Sequence, residues 1–185
     1  MKKIILKSSS PRRKEILEKL NLDFIIKAYD VDETLLPNLS PYENVKRLGY
    51  LKASINKELF KDYIQIGCDT IVVLDNIIYG KPKNEQDAFD MLKKLSGRSH
   101  EVMSGLTVIY NDITYSDVVI STVTFKKLTD EDIKEYIKTK EPFGKAGAYA
   151  IQGIGNKLVE KYEGSWTNIV GLPQELLEEW LDKLL

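Results

Sequence analysis

The chain has 185 residues, 43% of them apolar and 30% charged, which suits one soluble globular domain with a real core. Its 27 basic and 28 acidic side chains leave a net charge of −1, which excludes a global field drawing it to nucleic acid or an anionic membrane. One cysteine, Cys68, and one histidine, His100, exclude an intrachain disulfide, a thiolate zinc cluster and a two-histidine metal site, and argue against Ser-His-Asp chemistry. Any metal here would be a hard ion held by oxygen. No run reaches the length of a transmembrane helix, and Met1-Lys2-Lys3 leads into a short strand, not a signal peptide. With a single thiol, the expected compartment is the reducing cytoplasm.

In chain order, Ile4-Ile5-Leu6 reads as a strand that runs into Ser8-Ser9-Ser10. Ser10 suits an N-cap and Pro11 the first helical position, with Ile16, Leu17 and Leu20 on the buried face. Arg12 and Arg13 sit in that helix's first turn, where the dipole disfavours cations by about 0.3–1 kcal/mol each. They fit either an exposed basic turn or an anion docked at the helix start, where free N–H groups and guanidinium forks both suit phosphate.

A strand is expected over Phe24–Lys27, then an irregular acidic stretch, Tyr29–Leu39, carrying Asp30, Asp32 and Glu33. Ser40-Pro41-Tyr42-Glu43 has the form of a capping box. The helix it opens carries Val45, Leu48, Ile55 and Leu59 on one face, with Lys52 on the same stripe. Lys52 either snorkels to solvent or points into a cleft.

Tyr63–Leu74 reads as a buried strand and its continuation, broken at Gly67-Cys68-Asp69-Thr70. Asp69 is the most anomalous residue, because an isolated carboxylate in an apolar run costs several kcal/mol unless it is paired, hydrogen-bonded or metal-bound. The competing interpretation is an Asp that closes a strand end or turn. Asp75-Asn76 is a hairpin turn, Gly80-Lys81-Pro82 ends the returning strand, and Asn84–Leu95 is an amphipathic helix closed by Ser96-Gly97. His100–Tyr110 and Thr114–Phe125 are long strands joined at Asn111-Asp112, with His100 read as structural among polar neighbours. Thr129 caps a helix to about Lys138. The glycine-rich runs at Gly144–Gly147 and Gly153–Gly155 complete neither a Walker A nor a dinucleotide fingerprint. A strand at Lys157–Tyr162, a loop from Gly164 to Pro173 and a helix to Leu185 finish the chain.

The residues out of keeping with their surroundings are thus Arg12 and Arg13, Lys52 and Lys81, and the carboxylates Glu33 and Asp69. The cations suit a polyphosphate. The carboxylates suit a Mg²⁺- or Mn²⁺-type ion, and one of them could deprotonate or orient an attacking water. The combination describes hydrolysis at phosphorus.

Six motifs, in order, carry a resemblance that spans nearly the whole chain. They are Ser8-Ser9-Ser10-Pro11-Arg12-Arg13, Gly67-Cys68-Asp69-Thr70, Gly80-Lys81-Pro82, Leu95-Ser96-Gly97, Lys145 through Gly153, and Gly164 through Pro173. The chain resembles the Maf family of nucleoside triphosphate pyrophosphatases. That resemblance implies a mixed α/β fold over residues 1–185, a single domain whose strongly curved sheet and flanking helices form two lobes around a central cleft. It also implies cleavage of a nucleoside triphosphate between the α and β phosphorus with a divalent cation, Mg²⁺ or Mn²⁺, and a homodimer in many members.

Carried over by motif, Asp69 falls at the family's catalytic carboxylate and, with Glu33, in its metal environment. Arg12, Thr70 and Gln152 fall at positions separating substrate classes and resemble the branch acting on dTTP and UTP, not the sister branch acting on 7-methyl-GTP. Ser8, Arg13, Lys52 and Lys81 occupy places like the family's phosphate environment. A Gln152 amide, with a donor and an acceptor, can pair with the edge of uracil or thymine. The competing class is a nucleotide-binding regulator without turnover, in line with the family's link to septum formation, but retention of Asp69 favours the enzyme. Two departures from the family pattern are Lys7 before the serines, expected either near the phosphates or in solvent, and Cys68 before the Asp, expected as a buried filler.

Overall fold

The computed structural model describes residues 2–185. Its seven strands form one mixed sheet flanked by helices, as the α/β reading expects, and the sheet does not close on itself. In chain order the elements are β1 (Lys3–Leu6), α1 (Pro11–Lys19), β2 (Phe24–Ile26), α2 (Pro41–Ser54), β3 (Tyr63–Leu74), β4 (Ile77–Tyr79) and α3 (Glu85–Leu95). There follow β5 (Ser99–Tyr110), β6 (Ile113–Phe125), α4 (Asp130–Lys138), β7 (Val159–Glu163), α5 (Trp166–Val170) and α6 (Gln174–Leu184). The sheet order is β2-β1-β3-β5-β6-β7, with β4 added to β3. Strand β1 pairs parallel to both β2 and β3. Strands β3–β4 and β6–β7 pair antiparallel.

Contacts divide the chain into two compact units. The first comprises the residues up to Thr70 with Ser104–Val119 and Ser165–Leu185, and the second Ile71–Met103 with Ile120–Gly164. In the first unit, β1 and β3 are buried on both faces, which is why they read as continuous apolar runs. Ile5, Leu6, Leu17, Ile64 and Ile66 are fully buried there, and each such side chain contributes about 1.5–3 kcal/mol. Helix α2 begins with the expected capping box: Ser40 Oγ accepts from Glu43 N at 3.2 Å, and Glu43 Oε2 accepts from Ser40 N at 2.8 Å. Each such cap stabilises by about 1 kcal/mol.

Three glycines let α2 lie with its backbone directly on the strands. A Cβ on Gly49 would stand 2.3 Å from the carbonyl oxygen of Gly105, and one on Gly105 would stand 2.1 Å from that of Val45. At the other end of the helix, a Cβ on Gly67 would meet Ala53 N at 2.2 Å. No larger residue fits at these points, so α2 approaches β3 and β5 more closely than ordinary helix–sheet packing permits.

Helix α2 stops at Ser54, earlier than its apolar stripe implies. Leu59 falls in a separate 3-10 turn and is 76% exposed, so it is not part of the buried face. The helix ends where Ile55 turns to extended geometry and Asn56 to positive φ. That end is met by Lys7, which is buried and neither near solvent nor free for a phosphate. Its ammonium donates to Ala53 O at 2.7 Å, Ile55 O at 2.5 Å and Gln65 Oε1 at 2.7 Å. Three donors meet three acceptors at the negative end of a helix dipole, where a cation is favoured. Gln65 in turn donates to Lys57 O and Phe60 O, so the connection from α2 to β3 hangs on this pair.

Three further expectations need correction. Strand β3 runs unbroken through Gly67–Thr70, because Lys7 N and Ile66 O continue its pairing and no turn forms there. The stretch Gly164–Pro173 is not all loop: Ser165 caps the short helix α5 by accepting from Asn168 N at 3.1 Å. The final strand starts at Val159, with a 3-10 turn over Ile154–Leu158 ahead of it.

In the second unit, α3 packs on α4, and the hairpin turns at Asp75-Asn76 place both residues at positive φ, which Asp and Asn tolerate. His100 is structural, as expected, but its setting is aromatic and not polar. The ring lies edge-on to Phe125 and Tyr149, and Nε2 shares a 2.6 Å hydrogen bond with the Tyr149 hydroxyl. Burial pushes its pKa down to about 4, from an ordinary 6.5. The unfolded chain therefore takes up a proton as pH falls through 6.5, and the folded chain does not until about pH 4. Stability present at neutral pH is lost across that window, by roughly 3 kcal/mol at its lower end. Denaturation curves between pH 7 and pH 4 are expected to show His100→Gln losing less than the parent chain by about that amount. Parallel pH dependences for the two proteins would disprove the assignment.

Candidate functional site

Asp69 and Thr70 are neighbours on β3, so their side chains leave opposite faces of the strand, and each meets a different cation. On the Asp69 side, the Lys52 ammonium lies 2.6 Å from Oδ1 and 2.8 Å from Glu33 Oε1. Burial alone would lower the Lys52 pKa, but the Asp69 charge and hydrogen bond, joined by Glu33, more than offset it and keep the ammonium charged. The close seating of α2 brings Lys52 this near, since Ala53 beside it rests on Gly67, two residues before Asp69. Lys52 therefore does not snorkel to solvent.

Glu33 comes from the irregular acidic stretch, which α2 itself clamps. Asn44 accepts from Leu36 N at 2.9 Å and donates to Leu36 O and Leu39 O, while Arg47 donates to Thr34 O at 2.5 Å. One helix thus holds both the ammonium and the segment bearing its exposed second partner.

On the Thr70 side stands Arg13. Its Nε donates to Gly171 O at 2.7 Å, Nη1 to Ser8 Oγ at 3.1 Å and Nη2 to Thr70 Oγ1 at 3.2 Å. Thr70 Oγ1 lies 2.8 Å from the buried Ser104 hydroxyl, which reaches on to Asn168 O. Ser10 caps α1 as expected, accepting from Arg13 N, and Ser8 Oγ accepts from Ser10 N at 3.2 Å, so the serine loop is folded onto the helix start. None of the three acceptors of Arg13 is a carboxylate. Its charge is therefore not cancelled by contact, unlike that of Lys52, and remains available to an anion.

The structure thus brings Ser8, Arg13, Thr70, Asp69, Lys52 and Glu33 into one connected set within the first unit, with Arg12 in the same helical turn as Arg13. Lys81 and Gln152 lie on the second unit, and both are exposed. Cys68 is wholly buried, and burial pushes its thiol pKa up. The thiol contacts Gly171 O at 3.4 Å, which fits the filler reading and not a nucleophile. Sequence reasoning missed Ser104 and the carbonyl of Gly171. Nothing marks a backbone carbonyl in a sequence, but Ser104 immediately precedes Gly105, and a glycine inside a long strand signals a close backbone approach.

The family description "Maf-like protein" matches residues 3–184. A protein of Clostridioides difficile strain 630 named dTTP/UTP pyrophosphatase is 51% identical over 97% of this chain and 94% of its own length. Proteins of the same name from Alkaliphilus metalliredigens and Caldicellulosiruptor saccharolyticus are 49% and 45% identical. These cover 99% and 100% of this chain respectively, and each is matched over 96% of its own length.

Proposed function

The chain belongs to the Maf family, and from that premise we propose that it is a nucleoside triphosphate pyrophosphatase hydrolysing dTTP and UTP to the monophosphate and pyrophosphate. The observation that carries this reading is the Asp69 carboxylate, held 2.6 Å from a charged lysine on one face of β3, with Arg13 fixed at the other. A binding module needs the cations; the carboxylate beside them adds an acceptor for a proton from water, which favours turnover over binding alone.

In this reading the triphosphate lies on the Ser8–Arg13 turn, where Arg12 and Arg13 receive phosphate oxygens. Lys52 stands beside Asp69 and spreads the charge that grows on the phosphates in the transition state. Asp69 accepts a proton from a water whose oxygen bonds to the α phosphorus. The bridging bond between the α phosphorus and the β-phosphate oxygen breaks, and pyrophosphate leaves with its electron pair. Lys52 engages Oδ1 of Asp69, which leaves Oδ2 to face that water.

The Asp69–Glu33 donor set, hard carboxylate oxygens already gathered round one cation, fits a divalent ion of the Mg²⁺ or Mn²⁺ type. Such an ion, when bound, would neutralise phosphate charge. Among the described residues no group of three His, Cys, Asp or Glu side chains converges, so Asp69 and Glu33 would be the side chains that hold such an ion.

Lys81 and Gln152 enter by their motif positions, Lys81 as a further cation and Gln152 as the amide that pairs with the pyrimidine edge. A lone buried thiol is in keeping with a reducing compartment and supports the cytoplasm as the protein's location in this reading.

Incubation with dTTP, UTP, CTP and 7-methyl-GTP plus Mg²⁺ or Mn²⁺, with pyrophosphate as readout, is expected to give release from dTTP and UTP above the others. Release from none would leave a nucleotide-binding regulator, and a preference for 7-methyl-GTP would move the chain to the sister branch.

A further inference from the structure

We propose that Glu141 is a positioning residue for base selection: its carboxylate, through the Tyr136 hydroxyl, locks the turn that presents Gln152. This rests on the reading of Gln152 as the residue that meets the base. Gln152 sits exposed on a tight turn, Ala150–Gly153, closed by Gly153 N donating to Ala150 O at 3.3 Å. A long polar side chain on an exposed turn has little to hold it in one place, and hydrogen-bond discrimination needs its amide fixed to a fraction of an ångström.

Glu141 holds both ends of that turn. Oε2 accepts from Ile154 N at 2.9 Å, and Oε1 accepts from Gly155 N at 2.8 Å and from the Tyr136 hydroxyl at 2.8 Å. The same hydroxyl accepts from Ala150 N at 3.2 Å. Residue 150 on one side and residues 154 and 155 on the other are thus fastened to a single carboxylate–hydroxyl pair. The fit is tight enough to dictate the glycines: a Cβ on Gly153 would stand 2.4 Å from Glu141 Oε2, and one on Gly155 would stand 2.6 Å from the Tyr136 oxygen. The carboxylate is itself held in place from behind, since its backbone N–H donates to Thr139 Oγ1, which donates to Tyr136 O. Burial would raise the Glu141 pKa, but the amides of Gly155 and Ile154, the Tyr136 hydroxyl and nearby Lys145 together hold it below the ordinary carboxylate range. The group is therefore an ionised acceptor, and an amide in its place would turn a donor toward one of the two N–H groups.

The test compares kcat/KM for dTTP and CTP, because cytosine presents a donor and an acceptor in the reverse order at the edge Gln152 would read. Glu141→Gln is expected to lower the dTTP-to-CTP preference about tenfold, the weight of one hydrogen bond misplaced, mainly through KM for dTTP. Tyr136→Phe, which keeps the carboxylate and removes only its link to Ala150, should move the ratio the same way by less. It carries the test if Glu141→Gln does not fold. Gln152→Ala is run beside them. If Gln152→Ala loses the preference while both other variants keep it, the role of Glu141 is overturned and the reading of Gln152 stands. If Gln152→Ala also keeps the preference, both are overturned together.

Discussion

Asp69→Asn is expected to lower kcat on dTTP by about 10³-fold or more while leaving nucleotide binding at or above its original strength. Loss of a positioned general base costs roughly 10²–10⁴ in rate. Asparagine keeps the volume and one oxygen for Lys52, which lies 2.6 Å away, so the α2–β3 contact survives. What goes is the proton acceptor and one negative charge close to the phosphates, and losing that charge removes a repulsion in the ground state. Lys52 keeps Glu33 at 2.8 Å as an ionic partner, so the substitution does not strand a buried cation. Stability should fall by no more than about 1–2 kcal/mol, less than when a buried pair loses its sole partner. Calorimetric titration with dTTP in the absence of turnover, read against a pyrophosphate assay, separates the two effects. Turnover within tenfold of the parent chain would remove Asp69 from the chemistry.

Asp69 was legible because a carboxylate in the middle of Ile64–Leu74 breaks the pattern of its own strand, and such a break needs a partner. Lys52 was legible on the same ground, as a charge on an apolar helical stripe. That they are each other's partner was not, because the pairing depends on Gly49, Gly67 and Gly105 admitting α2 onto the strands. Contacts of that kind join residues far apart in the chain, and no periodicity encodes them. Lys7 failed for a similar reason. Next to a serine loop it reads as one more phosphate ligand, yet its three acceptors come from the end of α2 and from Gln65. The apolar stripe of α2 misled at Leu59, because the pattern continues past the point where Lys7 takes up the helix's last carbonyls. Turn residues at Asn111 and Asp112 marked the junction of β5 and β6. Alternation did not describe β5, which is buried on both faces from Val102 to Ile109, and at Gly164–Pro173 a five-residue helix is too short to show a period.

Arg13 offers the second large effect, and it separates charge from geometry. All three of its acceptors, Gly171 O, Ser8 Oγ and Thr70 Oγ1, are uncharged, so the guanidinium both ties α1 to its neighbours and presents a full positive charge. Arg13→Lys keeps the charge and loses the fork, since one ammonium cannot reach three oxygens set around a plane. Arg13→Gln loses the charge and keeps some hydrogen bonding. Both should cost about 1–2 kcal/mol of stability, because the Gly171 carbonyl and the Thr70 hydroxyl lose a donor. If the residue were only a tie, their activities would fall together with their melting temperatures. A phosphate-binding role demands more: Arg13→Lys should lower kcat/KM for dTTP by about 10²-fold, and Arg13→Gln by at least tenfold beyond that, since one phosphate contact in a low-dielectric site is worth a few kcal/mol of the barrier, about 2.7–4. The comparison is made well below both melting temperatures, so that folded protein is measured in each case. Equal losses for the lysine and glutamine variants would show that the helix start carries its two arginines for architecture, and the anion would have to bind elsewhere.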